Sequence, residues 1–298
     1  MEENPHSVTP YLASGGLLRL QGRLTHPLTW LGPVWATWCG VVASGGYGWR
    51  GADWLRLLLL ILLVDGGWGT LWTALATTDW AAALRRWRPW RSGASLAALP
   101  SALPGSPGDR AARWLGQVRA WWREAFWPAC GGPLSAIAVA LLVTAVLSAL
   151  LGVPIVLLSA AALAVMQLGF VWEGGRGTVA PGWDALVAVA LPWLAGHAAC
   201  GSLTWPSALL GLAFALAWGT AWQAAVRWKR ALGLGAQFLA AALLVALRHP
   251  LAAGVLLLLL VPQLAFAPWL ERGQPAPWYV RYTRPWLMAA MLVAAWAL

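Results

Sequence analysis

Between Gly131 and Trp172 the chain reads GGPLSAIAVALLVTAVLSALLGVPIVLLSAAALAVMQLGFVW, without one Asp, Glu, Lys or Arg. Runs of this kind constrain the fold more than any other feature. In a bilayer every backbone N–H and C=O must find a partner within the chain, so stretches of about 20 apolar residues fold as spanning helices. The pattern recurs along the sequence, which is 60% hydrophobic and only 10% charged; soluble domains carry about 25% charged residues. The expected fold is all-α, a polytopic membrane protein.

Apolar periodicity predicts nine spans, at residues 27–48, 54–78, 132–151, 153–172, 183–200, 205–226, 232–247, 250–269 and 283–298. Residues 1–26 then form an N-terminal segment, and 27–298 a single transmembrane domain with one long loop at 79–131. Gly152, the Gly201-Ser202 pair and His249-Pro250 punctuate very short links, which predicts tight antiparallel pairs on either side of each.

Net charge is +10. In a soluble protein that would point to nucleic acid; here the charge sits between apolar runs, so the anionic membrane surface is the expected partner and nucleic acid is not. If the N-terminus is cytoplasmic, seventeen of the 20 basic residues fall on the cytoplasmic side, and only Arg50, Arg56 and Arg248 lie outside. This bias predicts an odd number of spans, a cytoplasmic N-terminus and an outer C-terminus in a bacterial inner or plasma membrane. The start, MEENPHSVTPYLASGG, lacks the basic and apolar parts of a secretory signal, so insertion is expected to rely on the first internal span.

Within the long loop, DRAARWLGQVRAWWREAFW spaces Trp114, Leu115, Val118, Trp121, Trp122, Ala125 and Phe126 at helical intervals with arginines between them. That predicts an amphipathic helix on the cytoplasmic interface, with Asp109 as its N-cap. The preceding SGASLAALPSALPGSPGD is Ser/Pro/Gly-rich and is expected to be mobile. Most of the 25 tryptophans fall near span ends, as an interfacial belt does. Trp35, Trp38, Trp68, Trp72, Trp218 and Trp222 lie deeper and are the better candidates for a ligand cavity. Cys39, Cys130 and Cys200 have no partner at metal-ligand spacing, and the histidines form no evident haem or metal set. No phosphate loop, activated nucleophile or zinc motif is present, and no catalytic residue can be assigned.

Two aspartates interrupt LVDGGWGTLWTALATTDW, the second predicted span. On a continuous α-helix Asp65 and Asp79 would share a face with Trp68 and Trp72 between them. Asp65 is expected to point into the bundle, since an acid inside a membrane is costly unless it is neutral or partnered. Asp79 is expected at the basic interface, opposite Arg85 or Arg86.

Two stretches carry a family resemblance. RLTHPLTWLGPVWATWCGVVASGG (23–46) resembles the first helix of the UbiA superfamily of intramembrane prenyltransferases. PGWDALVAVALPWLAGHAACGSLTWPSALLGLAFALAWGTAWQ (181–223) resembles its fifth and sixth helices. Nine spans and an extended second cytoplasmic loop match the layout. The resemblance implies a UbiA-like bundle and, in the family, aspartate clusters at the cytoplasmic ends of helices two and six that hold magnesium against a prenyl diphosphate. At the first place this sequence reads WTALATTDW, with Asp79 its one acid; at the second, GTAWQAAVRWKRALGLG, with Gln223 its one side-chain carbonyl. The magnesium ligands are missing, so no cofactor is expected.

What the resemblance implies is a non-catalytic relative that binds an isoprenoid, a quinone-type molecule or another membrane lipid, or a membrane protein partner. The candidate binding residues are Asp65, Trp68, Trp72, Asp79, Trp218, Trp222, Gln223, Arg227, Lys229 and Arg230. Two alternatives stay open. One is an active prenyltransferase whose diphosphate is held by Arg85, Arg86, Arg227, Lys229 and Arg230 in place of metal. The other is a transporter or a subunit of a membrane complex.

Overall fold

The computed structural model describes residues 27–48, 50–85, 106–177 and 180–298. The 1–26 segment, Arg86 and most of the Ser/Pro/Gly-rich stretch expected to be mobile lie outside the described residues. Within them the fold is helical, with no strand. In chain order the helices are α1 (Pro27–Ala43), α2 (Gly51–Thr77), α3 (Trp80–Arg85), α4 (Pro107–Leu151), α5 (Val153–Trp172), α6 (Pro181–Cys200), α7 (Trp205–Ala221), α8 (Arg227–Ala246), α9 (Pro250–Glu271) and α10 (Ala276–Ala297). Six of them, α2, α4, α5, α6, α8 and α9, are long and apolar enough to cross a membrane. Leu31–Ala43 of α1 and the whole of α7 are apolar but shorter.

Helix α6 organises the bundle because its apolar side chains enter two cores. Ala185, Val189, Ala190 and Trp193 enter one core, shared with α1, α7, α8, α9 and α10. Val187, Leu191 and Ala195 enter a second, shared with α1, α2, α4 and α5. Helix α1 reaches both cores and lies hard against α6. A Cβ added at Gly40 would collide with the Trp193 carbonyl, and one at Gly196 with the Thr37 carbonyl, so two glycines set the separation of the central pair. Small residues at a helix crossing allow backbones to approach where lipid supplies no hydrophobic drive between helices.

Predicted turns hold. Gly152 adopts φ +105° between α4 and α5, a conformation that L side chains rarely adopt. Arg248 (φ 68°) and His249 turn the chain from α8 into α9. Polar clasps reinforce the pairs. Gln237 and Gln263 exchange two amide hydrogen bonds of 2.9 and 2.8 Å between α8 and α9. Between α6 and α7, Trp193 Nε1–H donates to Ser207 Oγ (3.0 Å), the Ser207 hydroxyl donates to His197 Nδ1 (2.9 Å), and His197 Nε2–H donates to the Ser202 carbonyl (2.9 Å). With both ring nitrogens engaged inside the protein, His197 is a structural residue.

Four expectations require correction. The amphipathic helix is not separate from the third span: Pro107–Trp121 runs through a π-helical turn at Trp122–Phe126 straight into Trp127–Leu151. Its N-cap is Ser106, whose Oγ accepts from the Asp109 N–H at 3.2 Å; Asp109 instead pairs with Arg113 one turn on. Helix α10 begins at Ala276, not at 283, because Arg281 and Arg284 lower its hydropathy without breaking it. Finally, Asp65 and Asp79 do not share one helical face. Leu62–Gly69 is wound as a π-helix, which alters the angular spacing, and the chain leaves helical geometry at Thr78 (φ −100°, ψ 126°) before Asp79.

Candidate functional site

The sequence-derived candidates separate into four environments. Asp65 is buried in the π-helical stretch of α2, inside the bundle as expected. Trp68 is fully enclosed in the core that α2 shares with α1, α4, α5 and α6. Asp79 stands at the start of α3, where its Oδ1 accepts from the Ala82 N–H at 2.7 Å and its backbone pairs with Arg176. The expected answer to Arg85 is therefore replaced by a helix cap. Arg227 and Arg230 both reach Glu271 at the end of α9, at 3.5 and 2.7 Å.

The remaining candidates gather where α2 and α7 end and α6 and α8 begin. Trp72 Nε1–H donates to Asp184 Oδ1 at 3.2 Å, tying α2 to the first turn of α6. Trp218 and Trp222 flank a buried arginine: the Arg284 guanidinium lies 3.9 Å from the centroid of the Trp218 ring and 5.3 Å from that of Trp222. Asp184 and Arg284 also attract each other electrostatically, so α2, α6, α7 and α10 meet in one charged, aromatic-clad cluster. Guanidinium on an indole face is a favourable arrangement for a cation removed from water.

Beside this cluster a groove opens between α6, α7 and α8, with a cavity of about 530 Å³. That volume lies within the range of about 300–1,000 Å³ usual for small-molecule sites. Trp183, Leu186, Leu212 and Leu216 form apolar walls, and Thr220, Gln223, Trp228 and Lys229 line it where α7 passes into α8. A Cβ added at Gly182, also on the lining, would meet nothing within 4 Å. Helix α8 starts after Val226, a residue with no side-chain cap, directly beside this polar end. Apolar walls closed at one end by an amide and an ammonium suit a molecule with a chain and a polar head. Of the ten sequence candidates, only Gln223 and Lys229 line the groove, while Trp218 and Trp222 lie on the same helix run but face Arg284.

Asp184, Arg284, Trp183 and Trp228 escaped the sequence reading. The signal for the first two was available: an ionisable residue inside a span is a functional candidate by default. It was masked because the 283 boundary left Arg284 at a span end, counted with the basic loop residues.

The residues present do not fit the magnesium that the resemblance implies. Asp79 is committed to an α3 amide, Gln223 lines an apolar groove, and among the described residues no three His, Cys, Asp or Glu side chains come together to hold a metal ion. Tyr47, just past the end of α1, is half-buried. Its ring packs against Trp38 and Trp54 at 5.9 and 5.8 Å, so Trp38, a deep-cavity candidate, is part of an aromatic corner. Comparison with known proteins found no matching family model, no matching curated protein and no matching solved structure.

Proposed function

We propose that this chain is a nine-span integral membrane protein, with its N-terminus in the cytoplasm and its C-terminus outside. In this reading it binds a lipid in the groove between α6, α7 and α8 and carries no metal-dependent diphosphate chemistry. An isoprenoid or quinone-type chain is the ligand that the UbiA resemblance implies. The observation that supports the reading is the groove itself: about 530 Å³, walled by Trp183, Leu186, Leu212 and Leu216, with Gln223 and Lys229 at one end. With α1, α7 and α10 added to the six long apolar helices the count is nine, and stacking on Trp218 accommodates the buried Arg284 of α10.

The transferase alternative relies on Arg85, Arg86, Arg227, Lys229 and Arg230, two of which have a carboxylate partner. Arg227 and Arg230, which would have to hold a diphosphate without metal, are turned toward Glu271. A leaving group of that charge needs concentrated electrostatic stabilisation, and a guanidinium already paired with a carboxylate supplies less of it.

Lipid extraction tests the reading. Protein purified in a mild detergent and extracted with organic solvent should release an isoprenoid or quinone-type lipid in near-stoichiometric amount by mass spectrometry. Gly182→Trp and Leu216→Trp, which place an indole in the groove, should lose most of it while the protein stays folded. Extracts without such a lipid, or equal amounts from the filled variants, would refute the assignment.

A further inference from the structure

The groove's polar end is electrically lopsided. Among the described residues Lys229 is the one charged side chain lining it, and no carboxylate joins it there. Arg227 and Arg230 both reach Glu271, so that group keeps one net positive charge, and neither arginine lines the groove. What Lys229 does have is the face of Trp228, with Nζ 5.3 Å from the ring centroid, a contact that stabilises a cation without neutralising it. Nearby, the Gln223 amide adds two N–H donors to the same lining, whereas the Thr220 hydroxyl donates inward to the Leu216 carbonyl at 2.7 Å. The Gln223 amide oxygen and the Thr220 hydroxyl oxygen can also accept, so what sets this end apart is its charge, which is positive at Lys229.

Resting on the groove reading above, we infer that this end selects a membrane lipid with an anionic, phosphate-type head group, held by Lys229 and Gln223 while its chain lies along the Leu212 and Leu216 wall. A phosphate oxygen accepts from both donors, and a hydrogen bond between ionised partners is about twice as strong as a neutral one. A neutral head group, a quinone's included, offers the half-buried Lys229 ammonium no counter-charge, so within the groove reading an anionic head is favoured over it. Basic pockets between helices near a membrane surface recognise anionic lipids on the same grounds. Lys229 is the only lysine in the sequence, so its charge can be changed without ambiguity.

The test is a competition in neutral detergent between dioleoyl phosphatidylglycerol and dioleoyl phosphatidylcholine, with lipid retained per protein chain counted by native mass spectrometry. The chains are identical, so a difference reports the head group. The intact protein should prefer the anionic lipid by about fivefold, the worth of one lysine near a membrane surface. Lys229→Gln should bring the ratio close to one, and Lys229→Glu should reverse it. Equal retention of the two lipids, or a preference that survives both substitutions, overturns the head-group inference. Gly182→Trp separates that outcome from failure of the groove itself. If it lowers both lipids equally, the groove stands and the head-group claim alone is lost; if it lowers neither, the groove is not the lipid site and both claims fall.

Discussion

Arg284 is the residue on which four helices depend. Its guanidinium rests on Trp218, lies near Trp222 and feels the charge of Asp184, which Trp72 holds in place. Arg284→Ala removes the cation from that stack and leaves Asp184 with less opposing charge; the expected loss is about 2 kcal/mol or more, read as a lower unfolding temperature in detergent. Arg284→Lys keeps the charge but not the planar stacking, and should fall between the two. The Gln237–Gln263 pair makes a complementary prediction. Either single change to Leu should destabilise by about 0.6–2 kcal/mol, because the partner amide stays buried without its bond, and the double change should recover most of that loss in the same assay. Burial of Asp65 was legible in the sequence, since an acid inside an apolar run has nowhere cheap to go. The partnership of Trp72, Asp184 and Arg284 was not, because a contact such as that between Trp72 and Asp184, 112 positions apart, leaves no trace in local hydropathy.

At the level of helices, the central contact is between α1 and α6 across Gly40 and Gly196. Substituting Ala at either position pushes a methyl group into a facing carbonyl; the expected cost is about 1–3 kcal/mol of overpacking. Gly182→Ala, where the Cβ meets open space, is the matched control and should leave the unfolding temperature nearly unchanged. Helix positions were readable because apolar run length sets them. Their ends were less so: α8 starts within the basic turn at Arg227, and α10 absorbs two arginines. The π-helical turns at 62–69, 122–126 and 186–190 were not readable at all, because hydropathy does not encode whether an N–H bonds four or five residues back. That is why two aspartates expected on one face are found apart, and why the predicted site around Asp79 dissolved into a helix cap.

For the whole molecule, the proposed orientation follows from the distribution of basic residues, which an independent assay can check. A reporter active only outside the cytoplasm should be active when fused after Leu298 and inactive when fused after Gly273; the reverse pattern would invert the topology. In the proposed orientation Lys229 and Gln223, which line the groove where α7 passes into α8, lie at the cytoplasmic end of α7. The most direct measurement uses a lipid with a photoreactive group on its chain, incorporated with the protein into bilayers, irradiated, and mapped by peptide mass spectrometry. The account predicts adducts concentrated on residues 182–186 and 212–232, and their loss in Gly182→Trp. Adducts spread evenly over the exposed outer faces of α4, α5 and α9, with no excess at the groove and no effect of the substitution, would contradict it.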